Sequence, residues 1–147
     1  MSGDTNLQKI SEESIPICIF SINSLQVLKL SGIGLSGTLH SDTYLTPSMT
    51  TLRLGYNLLR GVVPNSFLER NLDELDLSNN FLSGTWNFMN NSNTSIVLNN
   101  NRLSGLTPLI ANDMTQVDVM KGNLFDCDNK HHATNDPNYQ CKFNSIY

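Results

Sequence analysis

The chain has 147 residues, of which only 15% are charged, and its formal net charge is −4 with a sequence pI of about 5.1. This length predicts a single domain. An acidic balance argues against a nucleic-acid-binding protein, because such proteins normally present a basic face. No run of about 18 apolar residues occurs, so the sequence predicts no membrane span in this chain.

Residues 1–24 precede the regular part of the chain and are expected to form an irregular opening coil. The polar first half of this segment lacks the basic and apolar regions of a signal peptide. Several isoleucines and Phe20 follow, and they are apolar enough to supply one layer of core. Cys18 lies among them, so we expect it to be a small buried hydrophobe. The alternative is that Cys18 pairs with a cysteine outside this chain.

One pattern recurs five times between residues 25 and 125. Its clearest copy is LDELDLSNNFLSG from Leu72, and related copies start at Leu25, Met49, Asn93 and Met114. Positions 1, 4, 6 and 11 are apolar in most copies, which places them in a core shared by stacked coils. Position 9 is an asparagine that can satisfy buried backbone groups at a turn, and position 13 is a glycine. These residues are Asn57, Asn80 and Asn101, and Gly37, Gly61, Gly84 and Gly105.

The pattern L-x-x-L-x-L-x-x-N-x-L at a period of 20 to 29 residues resembles the leucine-rich repeat. The L-x-G-x-x-P sequences from Leu59 and Leu103 are similar to the plant-type repeat, in which a second short strand often follows the first. The resemblance implies an α/β-type solenoid of about five repeats. This would be a curved right-handed coil with a concave parallel β-sheet and irregular or short 3-10 returns on the convex side.

Two copies depart from the pattern. The first has Ile33 at position 9, so its asparagine rung is missing. In the fifth, Asn123 lies one place late, and either Gly122 takes the asparagine position or the turn contains one extra residue. We favour the extra residue, because it keeps Asn123 and Phe125 in the asparagine and leucine roles.

Both ends of a solenoid need covering, because terminal repeats otherwise expose the core. The first coil would present an open hydrophobic edge. We therefore expect either that the chain is the C-terminal portion of a longer protein or that a neighbouring subunit covers this edge. Residues 126–147 break the repeat, and N-L-F-D-C followed by N-D-P-x-Y-x-C resembles the C-terminal cap of leucine-rich-repeat ectodomains from surface and secreted proteins of protists and algae. That resemblance implies an oxidising, extracytoplasmic compartment.

The same cap contains the cysteines and histidines that could form a disulfide, bind a metal ion or act in catalysis. A disulfide between Cys127 and Cys141 would staple it, with about 3 kcal/mol of stabilisation in the entropy model. Zinc could also use these cysteines with His131 and His132, but the C-x-x-C spacing is absent and adjacent histidines tend to point apart. Cys127 with His131 as nucleophile and base lacks an orienting third group. We therefore predict a disulfide with solvated histidines, and a non-enzyme with no cofactor and no metal.

Asn90 and Asn93 each begin an N-glycosylation sequon. Asn90 lies in a return segment and should be reachable, whereas Asn93 falls at position 1, which usually faces the core. Asn90 is therefore the better predicted acceptor in a secreted chain. The alternative is that sequons occur by chance in an asparagine-rich chain.

Positions 2, 3, 5, 7 and 8 of each repeat are expected to face outward on the concave side. This face has a basic half in the first two repeats, then an acidic patch, then a neutral polar zone. Tyr56 beside Arg53 is the best predicted anchor, because these residue types dominate binding hot spots. The alternative is an ordinary solvated sheet face. The predicted binding residues are Lys29, Arg53, Tyr56, Asp73, Asp76, Asn79, Asn100 and Asp118.

By analogy with the fold class, we expect a non-enzymatic binding module, extracellular or at the cell surface. It would recognise a protein, peptide or glycan through the concave face. The alternative is a structural subunit of a larger extracellular or organellar assembly, packed through its open N-terminal edge. Reduced cysteines would instead indicate an intracellular scaffold.

Overall fold

A computed structural model describes residues 15–85, 94–106, 116–126 and 136–137, and the backbone of residues 88–89 and 109–110. Within these ranges the chain is built from short strands with very little helix. The elements are a 3-10 helix (Ile17–Ser21), β1 (Val27–Lys29), β2 (Thr38–Leu39), β3 (Thr51–Arg53), β4 (Arg60–Val62), α1 (Asn65–Glu69), β5 (Glu74–Asp76), β6 (Phe81–Thr85), β7 (Phe88–Met89), β8 (Ser95–Val97), β9 (Arg102–Leu106), β10 (Leu109–Ile110), β11 (Gln116–Asp118) and β12 (Leu124–Asp126).

The principal sheet contains one strand from each repeat, in the order β1-β3-β5-β8-β11, and all of its strands are parallel. Its register pairs identical repeat positions, so Leu52 lies beside Leu75 and Arg53 beside Asp76. The middle residue of each strand is buried and its neighbours face outward, as expected for alternation in a strand with one buried face. The predicted parallel sheet is confirmed.

A second sheet runs alongside the first, in the order β2-β4-β6-β9-β12, and its strands are also parallel. Its register shifts by two repeat positions per coil. Gly61, at position 13, therefore lies beside Leu82, at position 11 of the next coil. A third, two-stranded pair joins β7 and β10. The second short strand that the plant-type pattern predicts is present.

Leucines from the first four repeats and valines from the fifth form one continuous core, and from the second repeat onward an asparagine satisfies the backbone at the turn. Asn80 Nδ2 donates to the carbonyl of Leu54 in the preceding coil at 3.0 Å and to that of Leu77 in its own coil at 3.1 Å. Its Oδ1 accepts the N–H of Leu59 at 2.9 Å. Asn57 and Asn101 make equivalent bonds, so the predicted asparagine ladder is confirmed. The buried apolar core is Phe20, Leu28, Leu39, Leu45, Met49, Leu52, Leu54, Leu59, Phe67, Leu72, Leu75, Leu77, Leu82, Ile96, Leu98, Leu103, Val117 and Val119.

The fifth coil contains the predicted extra residue. Asn123 Nδ2 donates to the carbonyls of Leu98 and Val119, at 3.0 and 2.7 Å, and its Oδ1 accepts the N–H of Leu103 at 3.0 Å. These are the bonds of the other ladder asparagines. Phe125 packs against the core and pairs with Gly105, as a position 11 residue should.

The first coil differs from the prediction at Cys18, which is exposed and belongs to no disulfide among the described residues. Only Phe20 of the 3-10 helix is fully buried, with its ring 5.7 Å from that of Phe67. A single helical turn spreads its side chains around the axis, so one face packs inward and the rest meet solvent. Ile33 is 60% exposed where later coils place their asparagine.

The two helices described are each 5 residues long. None of the described segments is a helix long and apolar enough to cross a membrane.

Candidate functional site

The predicted binding residues share the outward face of the principal sheet, which we call the principal-sheet face. It consists of repeat positions 3 and 5, which lie on the strands, and of the flanking repeat positions 2, 7 and 8. Strand alternation buries position 4 and turns positions 3 and 5 outward. The parallel register then sets the position 5 residues in one row across the sheet. This row is Lys29, Arg53, Asp76, Val97 and Asp118.

Arg53 is engaged with an acidic neighbour on this face. Its Nε lies 2.7 Å from Oε1 of Glu74 on the next strand, in a geometry that favours charge attraction over an aligned hydrogen bond. Contact with the Glu74 carboxylate, and then its charge, raise the pKa of Arg53, so the guanidinium stays a cation. The basic half that the sequence predicts is therefore smaller than expected: Lys29 is exposed, and Arg53 is paired.

Asp76 and Asp118 accept hydrogen bonds from other residues of the principal-sheet face. Asp76 Oδ1 accepts the N–H of Ser78 at 3.0 Å and its hydroxyl at 2.7 Å. This carboxylate lies over Gly55, where a Cβ would come within 2.8 Å of Asp76 Oδ1. Asp118 Oδ2 accepts a hydrogen bond from Asn99 Nδ2. These bonds leave Asp76 and Asp118 less available to a partner than their positions in the sequence suggest.

Position 8 adopts the left-handed conformation in every coil. Asn79 and Asn100 tolerate it well, and Asn100 Nδ2 donates to Asn79 Oδ1 at 3.0 Å. In the fifth coil the pattern assigns position 8 to Lys121, and this assignment is wrong, because the extra residue moves Gly122 into that place. The left-handed residues of this column are Gly32, Tyr56, Asn79, Asn100 and Gly122, with φ of 70°, 57°, 52°, 55° and 68°.

Tyr56 is the exception in this column, because it is neither glycine nor asparagine. A bulky residue at positive φ is an outlier, since its Cβ approaches the backbone. Its N–H donates to the carbonyl of Ser78 at 2.9 Å, which holds the turn in place. Its side chain is 67% exposed. The turn therefore exposes an aromatic ring to solvent although its left-handed backbone disfavours a bulky side chain. The repeat pattern alone does not predict this conformation.

Three of the predicted residues carry side chains with no hydrogen bond or ion pair to the described part of the chain: Lys29, Tyr56 and Asp73. They are all exposed. Asp73 precedes its strand, Lys29 lies on a strand, and Tyr56 follows one. The three therefore span the face from one end of the strands to the other, and they form its accessible set.

The remaining predicted sites lie outside the described residues. These are the disulfide partners Cys127 and Cys141 and the sequon asparagines Asn90 and Asn93. Within the described ranges, no group of three or more histidine, cysteine, aspartate or glutamate side chains could hold a metal ion.

Comparison with known families supports the assignment of the fold. The family model described as "Leucine Rich Repeat" matches residues 71–91, which include the clearest copy of the pattern. No curated protein matches the chain. A domain of this family is in general a protein-interaction module. The matched repeat and the solenoid of stacked parallel strands together fit a leucine-rich repeat protein.

Proposed function

We propose that this protein is a non-enzymatic binding module that recognises a protein or peptide through the principal-sheet face, with Tyr56 as the central anchor. The observation that carries this proposal is the left-handed conformation of Tyr56, at φ 57° with its ring exposed. Glycine and asparagine fill the same place in the other coils, so folding alone does not require an aromatic residue there.

The charges around Tyr56 indicate a partner that carries both signs. Lys29 offers an exposed cation on one side, and Asp73 offers an exposed anion on the other. Between them, Arg53 and Glu74 neutralise each other. Complementary charges fix the orientation of a partner more than they add affinity. A peptide with an acidic residue, an apolar residue and a basic residue in turn would match Lys29, Tyr56 and Asp73.

Selection of peptides from a random library displayed on phage tests this proposal. The peptides that bind the full chain are then measured against Tyr56→Asn, which removes the ring but suits the left-handed turn. Tyr44→Asn is the matched control, because Tyr44 is 56% exposed and lies away from this face, outside all the strands. We expect about a tenfold or greater loss for Tyr56→Asn, as for an interface hot spot, and almost no loss for Tyr44→Asn. Equal affinities for the two variants would exclude Tyr56 as the anchor.

The proposed setting is extracellular or at the cell surface, and the resemblance of the cap sequence supports it. In this setting we expect a disulfide between Cys127 and Cys141, and a glycan on Asn90 rather than on Asn93. Intact mass before and after reduction and deglycosylation tests both features. A gain of two hydrogens for the bridge and loss of a glycan would support this setting. Three free thiols and no glycan would favour an intracellular scaffold.

A structural subunit of a larger assembly is the second candidate, and the edge of the principal sheet favours it. β1 is the terminal strand of this sheet among the described strands, and Val27 on it is exposed. Ile17 and Ile22 of the opening segment and Ile33 of the first repeat are exposed as well. An exposed strand edge with apolar side chains is a template for pairing. Light scattering should then show self-association that Val27→Lys abolishes, and a monomer at high concentration would exclude this role for copies of the chain.

A further inference from the structure

The second sheet carries an aromatic ring between two arginines. Phe81 lies on β6, Arg60 on the neighbouring strand β4 and Arg102 on the other neighbour, β9. The guanidinium carbons lie 5.2 Å and 4.9 Å from the centre of the Phe81 ring, for Arg60 and Arg102 respectively. Both distances are within the range of a cation–π contact. We call these three residues the Arg–Phe–Arg patch.

The register of the second sheet creates this patch. Arg60 stands at position 12 and Phe81 at position 10, but the shift of two positions per coil sets them side by side. By the same shift, Arg102 lies beside Ser83, two residues from Phe81 on the same strand and therefore on the same face. The ring is half-buried, and both arginines are exposed.

Neither arginine is neutralised within the described residues. The ion pair described there joins Arg53 to Glu74 on the principal sheet. Asp126 is the acidic residue on a strand of the second sheet, but it lies beside Leu106, four residues along β9 from Arg102. Two cations that pair with no described carboxylate therefore share one ring in a chain of net charge −4. Stacking orients a guanidinium and leaves its N–H groups free to bind a carboxylate.

We propose that the Arg–Phe–Arg patch binds an acidic segment of a partner protein, with one carboxylate on each guanidinium. Alternate residues of an extended segment point to the same side and stand roughly 6.5 Å apart. An acidic-x-acidic sequence therefore fits two arginines that converge on one ring. The exposed Val62, on the same strand and face as Arg60, offers an apolar contact beside them.

A protein segment fits this patch better than a long polyanion. A nucleic acid or sulfated polysaccharide binds through many phosphate or sulfate contacts, and a basic face attracts it over long distances. Here the net charge is negative, and the patch has two cations with an apolar border. This surface is separate from the principal-sheet face, so the inference does not depend on the function proposed above. With both surfaces in use, one copy of the chain could join two partners.

Fluorescence anisotropy with a labelled synthetic peptide tests the inference on the full chain at low salt. The probe contains one Glu-x-Glu sequence in an otherwise neutral extended peptide, and its glutamine counterpart is the negative control. The variants are Arg60→Gln and Arg102→Gln, which keep a long polar side chain, and Phe81→Leu, which keeps an apolar one. Lys121→Gln is the matched control, because it removes one positive charge from an exposed lysine of the fifth coil, outside both the patch and the accessible set of Lys29, Tyr56 and Asp73.

We expect each arginine variant to weaken binding of the Glu-x-Glu probe by about tenfold, as for a charge-assisted hydrogen bond. Phe81→Leu should weaken it as well, because the guanidinium groups lose their platform, while Lys121→Gln should change it little. The proposal is overturned if Lys121→Gln causes an equal loss, since binding would then follow net charge alone. It is also overturned if the probe does not bind, or if heparin or an oligonucleotide competes through the same arginines with higher affinity.

Discussion

Asp136 takes the place of a backbone carbonyl beside Val119. Its Oδ2 accepts the N–H of Val119 at 2.6 Å and the next N–H along the chain at 2.7 Å. One coil earlier, the N–H of Leu98 and the N–H that follows it both donate to the carbonyl of Asp118, at 2.8 and 3.1 Å. A buried side-chain oxygen therefore continues the ladder of the principal sheet beyond β11, where a further strand would otherwise be needed.

Replacing Asp136 by alanine should destabilise the protein. The change leaves two backbone N–H groups without an acceptor, one of them on the buried Val119, and each costs about 1 to 3 kcal/mol. Asp136→Asn is the matched control, because its amide oxygen can still accept. Urea denaturation should show a loss of about 2 to 4 kcal/mol for alanine and a clearly smaller loss for asparagine. An alanine variant as stable as the unmodified protein would show that Asp136 does not close the sheet.

The ladder asparagines should be far more important for stability than the asparagines beside them. Asn80→Ala removes bonds to Leu54, Leu59 and Leu77 inside the core, so we expect a loss of about 3 kcal/mol or more. Asn79→Gly is the control, because glycine accepts the same left-handed turn. It loses only an exposed bond to Asn100, so its effect should stay below about 1 kcal/mol. Similar unfolding free energies for the two variants would contradict the ladder.

Alanine substitutions at Gly61 and Gly34 distinguish the stability cost of close packing from that of backbone strain alone. Both have positive φ, 91° and 77°. A Cβ at Gly61 would lie 2.5 Å from the carbonyl oxygen of Leu39, whereas one at Gly34 would meet nothing within 4 Å. Alanine at Gly34 should therefore cost only the strain of about 1 to 2 kcal/mol. Alanine at Gly61 should lower the thermal midpoint much further, because the second sheet must separate. Equal midpoints would mean that the strands are not so close.

Tyr56→Asn should stabilise the protein while it weakens partner binding. Asparagine tolerates the left-handed turn better than tyrosine, so we expect a gain of up to about 1 kcal/mol in the free energy of unfolding. Urea denaturation measures this gain, with Tyr44→Asn as the control. A loss of stability would mean that the exposed ring of Tyr56 contributes to the fold, which would contradict its role as an anchor kept for binding.

Much of the fold follows from the sequence because one pattern repeats. Leucines at fixed positions predict the core, and recurring asparagines predict the ladder. An extra residue in the fifth coil is predicted because it keeps Asn123 and Phe125 at the asparagine and leucine positions of the repeat. Each of these rests on a local rule that recurs from one coil to the next.

The side-chain contacts that the sequence did not predict depend on how neighbouring coils align. Arg53 meets Glu74 because positions 3 and 5 of adjacent strands are close, and Phe81 meets Arg60 because the second sheet shifts its register. A list of repeat positions contains neither relationship. The exposure of Cys18 likewise depends on how one turn of 3-10 helix lies on the first coil.

A map of the residues that a selected peptide contacts tests recognition through the principal-sheet face. The two-dimensional amide NMR spectrum of the full chain would be recorded during titration with a peptide chosen on phage. The proposed function predicts that the largest shift changes fall at Lys29, Tyr56 and Asp73 and along the strands between them. Changes that avoid these residues and fall on the second sheet or on the return segments would contradict recognition through the principal-sheet face.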